Sequence, residues 1–155
     1  MGRFWARGIE EWHFVPTITT IAAPTVAQIT AGDELTDEMA DMSGFGYENQ
    51  PIDVPDQGDT FTSQIDGPDQ AMASSITLYD DDAGIPALKT LLAKGAVGYI
   101  VISPYGGVVA SDKVEVWPVK VTGNNRSYNS DTEGKRYVVT FAITGTPSQN
   151  ATVAA

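Results

Sequence analysis

One helical segment, in a chain otherwise made of strand and loop patterns, most constrains how this protein folds. Its apolar side chains recur at spacings of three, three and one, at Ile85, Leu88, Leu91 and Leu92. Pro86 suits a first helical turn, where its missing N–H costs no hydrogen bond, and Gly95 follows a basic last turn. We therefore expect a helix at about 85–93 that covers the open end or one face of a β-structure.

The remaining patterns are mostly those of β-strands. Segment 135–144 is the clearest, with Tyr137, Val139, Phe141 and Ile143 alternating onto one face. A shorter helical turn begins after Thr25, whose spacing to Gln28 fits a capping box. We also place a β-bulge near Pro118, inside the strand 113–122. The fold class predicted is mainly β, a sandwich or partly open barrel with one flanking helix, in a single domain over residues 1–155.

A long hairpin and two terminal arms complete this expected organisation. Strand-like segments at 43–47 and 60–65 flank a polar excursion at 49–59, and Asp66–Asp69 has the composition of a turn. These features predict an extended hairpin with a long, acidic and mobile tip. Residues 1–10 and 146–155 are expected to be extended arms that neighbouring subunits order.

Charge is divided unevenly along the chain. The net charge is −11, and no Lys or Arg occurs between Gly8 and Leu88. Fourteen acids lie between Asp33 and Asp82, whereas seven cations face four acids from Lys89 onward. Clustered cations are required to grip phosphates, so this balance argues against nucleic-acid binding. It favours copies that meet head to tail, with an acidic surface against a more basic one.

The sequence contains no pattern of an active site. His13 is the only histidine, lies within a strand pattern, and is not accompanied by a nucleophile motif. The chain has no cysteine, and the acids from Asp80 to Asp82 lack the spacing of a calcium loop. We expect no catalytic residue, metal or cofactor. No apolar run is long enough to span a membrane, and residues 1–10 do not have the pattern of a secretory signal.

Ten short segments between Phe14 and Pro147 are each common in β-strands and turns, and their shared order is what is specific. The segments are Phe14–Pro16, Pro24–Ile29, Ala31–Gly32, Leu35–Thr36, Ser43–Phe45, Phe61–Gly67, Ser75–Asp80, Lys94–Gly95 with Gly98–Val101, Val116–Val121, and Phe141–Thr144 with Pro147. In this collinear order they resemble the major tail tube proteins of long-tailed, non-contractile bacteriophages, the siphovirus type, and most closely those of actinobacteriophages.

This resemblance implies a structural virion protein of the phage tail, assembled in the host cytoplasm. Six copies would form a ring, and rings would stack into a hollow tube that conducts DNA into the host cell. The implied partners are further copies of the chain, the tail tip or baseplate, the tape measure protein and the tail terminator. DNA would pass through the lumen without specific binding, and no membrane partner is implied.

Two sets of residues are predicted to serve that assembly. The first is an inter-subunit or inter-ring loop formed by Asn49, Gln50, Pro51, Ile52, Asp53, Val54, Pro55, Asp56, Gln57, Gly58 and Asp59. The second is a group of acids expected to face the lumen, Asp53, Asp56, Asp59, Asp66 and Asp69. A conduit for a polyanion needs a wall that repels the duplex, because cationic walls would hold it through counterion release.

Two other classes of protein share parts of this pattern. One is a β-sandwich adhesion or carbohydrate-binding module of the secreted type, in which Trp117 or Tyr105 would face a ligand. The other is a small hydrolase built around the lone histidine, which the missing motifs disfavour. Microscopy of concentrated protein separates the three, since only a tube protein would form rings or tubes.

Overall fold

The computed structural model describes residues 8–80, 86–128 and 135–155, and within the first turn of its second helix only the backbone of 86–88. It contains two short helices, α1 (Val26–Thr30) and α2 (Pro86–Leu91), and a 3-10 turn at Thr36–Glu38. The strands are β1 (Glu11–Val15), β2 (Asp33–Glu34), β3 (Met39–Ser43), β4 (Tyr47–Asn49), β5 (Ile52–Val54), β6 (Ser63–Ile65), β7 (Asp69–Ala71), β8 (Ser74–Tyr79), β9 (Val97–Ser103), β10 (Lys113–Ser127), β11 (Arg136–Ile143) and β12 (Ser148–Thr152).

One antiparallel sheet forms the body of the molecule. Its strand order is β2-β1-β9-β10-β11-β8-β3, and β12 pairs with the first part of β10. The sheet curls until the chain that follows β3 meets β1, where the rings of Phe45 and Trp12 lie 5.1 Å apart edge to face. The result is a partly open barrel. The predicted mainly β class, with a flanking helix and a long hairpin, is confirmed.

The barrel interior is filled by one large hydrophobic core. Side chains from β1, β8, β9, β10 and β11 meet there, among them Trp117, Ile76 and Ile100, each fully buried. Helix α2 and the residues after it close one end of this core with Leu91 and Leu92. The alternating face predicted for β11 is confirmed, since Tyr137, Val139 and Phe141 all point into this core.

A second, smaller core lies on the outer side of the sheet. Val114 and Val116 of β10 pack there with Ile29 of α1 and with Val153 near the C-terminus. Strand β10 therefore supplies one core with its even-numbered valines and the other with Trp117, Val119 and Val121. Simple strand alternation explains the change of buried face, so no extra residue is needed beside Pro118.

The predicted bulge near Pro118 is accordingly wrong. Irregular register occurs instead between Val121 and Gly123 against β11, and between Val114 and Val116 against β12. One edge of β10 pairs first with β12 and then with β11, and Pro118 lies at the point where the partner strand changes. The Pro118 carbonyl accepts the N–H of Thr144 at 3.0 Å. Because Pro118 lies between the two paired stretches, the N–H that proline lacks is not needed for a hydrogen bond of either ladder.

Both helices form where the sequence predicted them. The capping box of α1 is present in both directions between Thr25 and Gln28. Helix α2 spans Pro86–Leu91, inside the predicted 85–93, and Gly95 after it has φ of +95°. The amide of Asn124 in β10 donates to the carbonyls of Lys89 and Leu92 at 3.2 and 2.9 Å, which fixes the helix over the barrel end. The predicted helix residue Ile85 lies outside the described residues.

The helix contact also shifts two ionisable groups. The Lys89 ammonium lies 5.3 Å from the centre of the Tyr137 ring. Burial, with further contributions from Glu38 and Asp80, raises the pKa of Tyr137 to about 12. Desolvation first, and the charge of Arg126 second, lower the pKa of Lys89. Burial at the contact between α2 and the inner core is thus the first cause of both pKa shifts.

The C-terminal segment differs from its prediction. Residues 146–155 were expected to form an arm ordered by neighbours, but β12 pairs with β10 of the same chain and Ala151 and Val153 are buried in the outer core. Ala154 adds a parallel bridge to Thr25. This expectation is corrected, because valine and alanine at alternate positions suffice to bury the segment. Of the predicted N-terminal arm 1–10, residues 1–7 lie outside the described residues.

Candidate assembly surface: the hairpin arm

A two-stranded arm extends the β3–β8 hairpin beyond the body of the molecule. It comprises residues 44–73, and we call it the arm. Its inner part pairs β4 with β7, from Tyr47 opposite Ala71 to Asn49 opposite Asp69. Its outer part pairs β5 with β6, from Ile52 opposite Ile65 to Val54 opposite Ser63. The predicted extended hairpin is thus present, although strand β5 lies within the excursion 49–59 that was predicted as loop.

The root of the arm is fixed by Gly44 and Phe45. Gly44 has φ of +87°, and a Cβ there would overlap the carbonyl oxygen of Ala73, so only glycine fits. Phe45 also has positive φ, +58°, and its ring enters the inner core, 6.1 Å from both Trp117 and Phe141. The Phe45 N–H donates to Ser74 Oγ at 3.0 Å. A rare backbone conformation is held here because the partly buried ring of Phe45 packs against the inner core.

A second break divides the arm at its middle. The Gln50 N–H donates to the Pro68 carbonyl at 2.9 Å, and the Asn49 side chain bonds both the carbonyl and the N–H of Gly67, at 2.8 and 3.1 Å. A Cβ at Gly67 would overlap the carbonyl oxygen of Gln50. The predicted turn at Asp66–Asp69 is therefore wrong as a reversal. The chain keeps its direction from β6 into β7, and Gly67 and Pro68 only interrupt the ladder.

Two aspartates shape the tip of the arm. Asp56 accepts a hydrogen bond from the Gly58 N–H at 2.9 Å, and Asp59 accepts one from the Phe61 N–H at 3.1 Å. Each carboxylate thereby closes a local turn, which is a frequent use of aspartate in loops. Among the predicted site residues, these two therefore also serve to fold the tip.

The arm is exposed over nearly its whole length. From Tyr47 to Ala73 every residue except Gly67 is exposed. Six large apolar side chains are between 40% and 74% exposed there: Tyr47, Ile52, Val54, Phe61, Ile65 and Met72. Because Ile52 lies opposite Ile65 and Val54 is two residues along, these three share one face of the outer part. Apolar surface in this amount on a projecting element is typical of a contact site for another molecule.

The opposite face and the tip carry negative charge. The arm contains six acids and no cation. Asp53 lies opposite Gln64, whose amide donates to it at 2.7 Å, and Asp69 accepts from Asn49 at 2.8 Å. The five predicted lumen acids are all exposed, but the structure spreads them from the base of the arm to its tip rather than gathering them into one cluster.

The predicted loop Asn49–Asp59 corresponds to one side of the arm. Asn49 ends β4, Ile52–Val54 form β5, and 55–59 lead into the tip. Its partner side, from Phe61 to Ala71, was not included in that loop, and only Asp66 and Asp69 on it were predicted as site residues. Its Phe61 and Ile65 also contribute to the exposed apolar surface. The sequence did contain a signal for this partner side. Ile65 alternates with polar residues, a pattern that places an apolar side chain on one face of a strand, and no core residue was predicted to cover it.

A groove of about 360 Å³ lies between the arm and the body. Tyr47, Asp69 and Ala71 line one side, and residues 143–147, which connect β11 to β12, line the other. This groove and the arm present mixed apolar and acidic surface.

The residues considered for ligand binding, catalysis and metal binding lie outside the arm. Trp117 is fully buried, so the alternative in which it faces a carbohydrate ligand is wrong for this residue, whereas Tyr105 is 70% exposed. His13 is buried beside Glu11, with 3.4 Å between Nε2 and Oε2. In the described ranges no three acidic or histidine side chains are arranged to hold a metal ion. Among the same residues, no helix is long and apolar enough to cross a membrane.

Comparison with known proteins agrees with this architecture. No curated protein sequence matches the chain. A family model described as phage tail tube protein matches residues 1–155, the whole of the chain. Together with the antiparallel β fold, this match shows that the chain belongs to the phage tail tube protein family and is a structural component of the virion tail.

Proposed function

We propose that six copies of this chain form a ring, and that stacked rings make the tail tube through which phage DNA enters the host. The collinear resemblance of Phe14–Pro147 supports a long, non-contractile tail of the actinobacteriophage type. Assembly takes place in the host cytoplasm. The tape measure protein, the tail tip or baseplate and the tail terminator are the other partners.

The exposed arm is the observation that carries this proposal. Its exposed apolar side chains belong to neither core of their own subunit, and they lie on strands that no element among the described residues covers. Burial of such side chains gains roughly 25 cal/mol per Å² of apolar surface. A neighbouring subunit in the ring, or in the next ring, offers that burial, and the arm then acts as the inter-subunit element predicted for Asn49–Asp59.

The strand edges support ring closure. The sheet has two free strand edges in the described part of the chain. One is the outer edge of β3, the last strand in the sheet order. The other is the edge of β10 that faces β9, which has no partner strand beyond Val121. Strands β10, β11, β8 and β3 are successively antiparallel, so β3 runs opposite to β10. A copy in the same orientation therefore continues the sheet antiparallel, and pairing removes both exposed edges.

The dimensions of such a ring suit duplex DNA. Four strands from each of six copies make ~24 strands, and ~4.8 Å spacing with ~40° tilt gives a backbone diameter of ~48 Å. Side chains of ~5 Å on each wall leave a bore of ~38 Å. A duplex passes through this bore without unwinding.

The acids of the arm are proposed to border this lumen. Asp53, Asp56, Asp59, Asp66 and Asp69 are exposed and have no cation near them in sequence. At the junction between rings they would repel phosphate and keep the duplex from binding. A Lys in place of each of Asp56, Asp59 and Asp66 should leave tubes intact but slow DNA ejection, more strongly at low salt.

A matched substitution with Asn at the same three positions separates charge from turn formation. Asn also accepts the hydrogen bonds that Asp56 and Asp59 receive in the tip, and it adds no positive charge. Ejection rates are measured on virions by dye uptake of the released DNA. Equal rates for the Lys, Asn and wild-type virions would place these acids outside the lumen.

The assembly role of the arm is tested by shortening it. Deletion of 51–66 joins Gln50 to Gly67 and leaves a three-residue connection between β4 and β7, so the body and the arm root remain. We expect a folded monomer that forms no tubes by negative-stain microscopy, while wild-type protein forms tubes at high concentration. Association of the wild type should weaken as salt rises, because exposed charge pairs are screened.

Two results would contradict the proposal. Tubes of normal length from the shortened chain would show that the outer arm is not an assembly element. Wild-type protein that stays monomeric at high concentration and low salt, even with tail initiators present, would refute the tube function itself.

A further inference from the structure

The groove between the arm and the body has the lining of a site for a short peptide segment. Its arm side is formed by Tyr47, Asp69 and Ala71, and its body side by residues 143–147, which include an isoleucine and a proline. An aromatic ring, aliphatic groups and one carboxylate thus surround a space of about 360 Å³. Ligand pockets of ~300–1,000 Å³ likewise combine an apolar lining with a few polar groups. A space of this size accepts a few side chains, not a folded domain.

Negative charge on this surface is not balanced within the described part of the subunit. The Asp69 carboxylate lines the groove and accepts a hydrogen bond from the Asn49 amide at 2.8 Å. The ion pairs among the described residues involve Glu11 and Asp80, and none involves an acid of the arm. Because the arm carries six acids and no cation, a segment that brings positive charge is attracted to this position. The groove therefore suits an occupant with both apolar and cationic side chains.

The N-terminal segment, residues 1–7, has this composition. It contains the run Arg3-Phe4-Trp5-Ala6-Arg7, and its two arginines are the sole cations of the sequence before Lys89. Aromatic residues and arginine are enriched at the centres of protein interfaces and among the residues that contribute most to binding. The rings of such a segment can fill an apolar groove while a guanidinium pairs with a carboxylate.

The described chain starts at the end of the barrel where the groove lies, but on its other side. Strand β1 begins where β9 and β11 end, because successive neighbours from β1 to β11 are antiparallel. The carbonyl oxygen of Ile9 lies against the turn after β9, where a Cβ at Gly106 would be 2.5 Å from it. The groove lies instead beside the end of β11 and the base of the arm. Residues 1–7, when extended, span up to about 25 Å, several strand spacings of ~4.8 Å, so the segment can cross to an adjacent copy.

We infer that residues 1–7 of one copy bind in the groove between the arm and the body of a neighbouring copy. The inference rests on the proposed tube function, because rings and their stacking bring copies to this distance. The aromatic rings of the segment then lie on Tyr47 and the connection 143–147, and one of its arginines pairs with Asp69. Each copy gives one segment and receives one, so the contact is head to tail.

Disulfide cross-linking between two variants tests this contact, since the sequence contains no cysteine. Ala6→Cys places a thiol in the segment, and Ala71→Cys places one on the arm side of the groove. The two variants, one of them isotopically labelled, are mixed, assembled into tubes and oxidised with copper phenanthroline. Mass spectrometry of the non-reduced sample should show a dimer of one labelled and one unlabelled chain, which a reductant removes.

A mixture of the Ala6→Cys and Ala27→Cys variants is the matched control. Ala27 is exposed on α1, which packs on the outer core and does not line the groove. This mixture should give no mixed dimer. Thr146→Cys, on the body side of the groove, replaces Ala71→Cys if that variant does not assemble, and the same mixed dimer is expected.

Three outcomes would contradict the inference. One is a mixed dimer that is no more abundant with Ala71→Cys or Thr146→Cys than with Ala27→Cys. Another is an intramolecular disulfide in the unassembled double variant Ala6→Cys/Ala71→Cys without a mixed dimer in tubes, which would place the segment in the groove of its own subunit. Failure of the wild-type chain to form tubes refutes the proposed function, and the inference falls with it.

Discussion

The body and the arm of this protein are built from the same kind of antiparallel strand pair, yet they differ in what supports those pairs. In the body, β11 buries Tyr137, Val139 and Phe141 in a core that five strands and a helix share. In the arm, Ile52, Val54 and Ile65 alternate in the same way but stay 40% to 56% exposed. An isolated two-stranded hairpin is marginally stable in water. The body therefore supplies the stability of the fold, and the arm offers its surface to other copies.

Equal substitutions in the two regions give the largest expected contrast. Ile76→Ala removes a fully buried side chain from β8 and should lower the free energy of unfolding by about 2–5 kcal/mol. Ile65→Ala in β6 removes a side chain that is 56% exposed and should change it by less than about 0.5 kcal/mol. Urea titrations of the unassembled protein measure both. A loss at Ile65 comparable with that at Ile76 would show that the arm packs on the body.

Substitutions of two phenylalanines test where the body ends and the arm begins. Phe45 at the root contacts Trp12, Trp117 and Phe141, so Phe45→Ala should cost about 2–3 kcal/mol, somewhat less than a fully buried ring. Phe61→Ala at the tip removes a ring that is 74% exposed and should cost less than about 0.5 kcal/mol. Thermal unfolding followed by circular dichroism compares them. Equal losses would mean that Phe45 does not anchor the arm.

Substitutions in the arm, which should change the free energy of unfolding little, should have a large effect on tube assembly. Ile65→Ser removes apolar surface from the exposed face of the arm and should raise the concentration needed for tube formation about tenfold, since 1.4 kcal/mol corresponds to a factor of ten. Ile65→Val keeps an apolar side chain and should stay within about twofold of the wild type. Sedimentation of tubes over a concentration series gives these values. If the Ile65→Ser variant forms tubes at the same concentration as the wild type, this face of the arm is not part of the interface between copies.

The smallest expected effect concerns pH and the body alone. Burial first, and the nearby Glu10 carboxylate second, raise the pKa of Glu115 above its usual 4.5. The protonated form is therefore favoured in the folded state, and the stability that this protonation contributes is lost as pH rises through the folded pKa. Glu115→Gln should be more stable than the wild type at pH 7, and the difference should shrink as pH falls through the folded pKa and be smallest at and below the usual 4.5.

Melting temperatures measured between pH 3.5 and 7.5 test this expectation, at intervals fine enough to locate the change. Glu34→Gln, on the exposed β2 strand, controls for removal of one negative charge. A Glu115→Gln protein no more stable than the wild type at pH 7 would mean that this carboxylate is solvated in the folded state.

Several features could be predicted from the sequence because they depend on neighbouring residues. The capping box at Thr25 and Gln28, the glycine stop at Gly95 and the buried face of β11 all arise within a few positions of the chain. Helix capping, glycine at positive φ and strand alternation are local effects. The mainly β class with one flanking helix and a long hairpin followed from them.

Only the tertiary structure decided features in which distant segments compete for the same strand. The valines on both sides of Pro118 implied a bulge, but two cores on opposite faces of β10 explain them without one. The C-terminal segment was expected to be an arm, yet it fills the edge of β10 that β11 leaves free. Asp66–Asp69 has turn composition, but pairing of β6 with β5 and of β7 with β4 keeps the chain straight. Residue identity determined the main strands of the body, such as β8 and β11. Pairing across the sheet determined that β5 and β12 are strands, which face of each strand is buried and where the exposed surface of the arm lies, because burial depends on partners that are far apart in the chain.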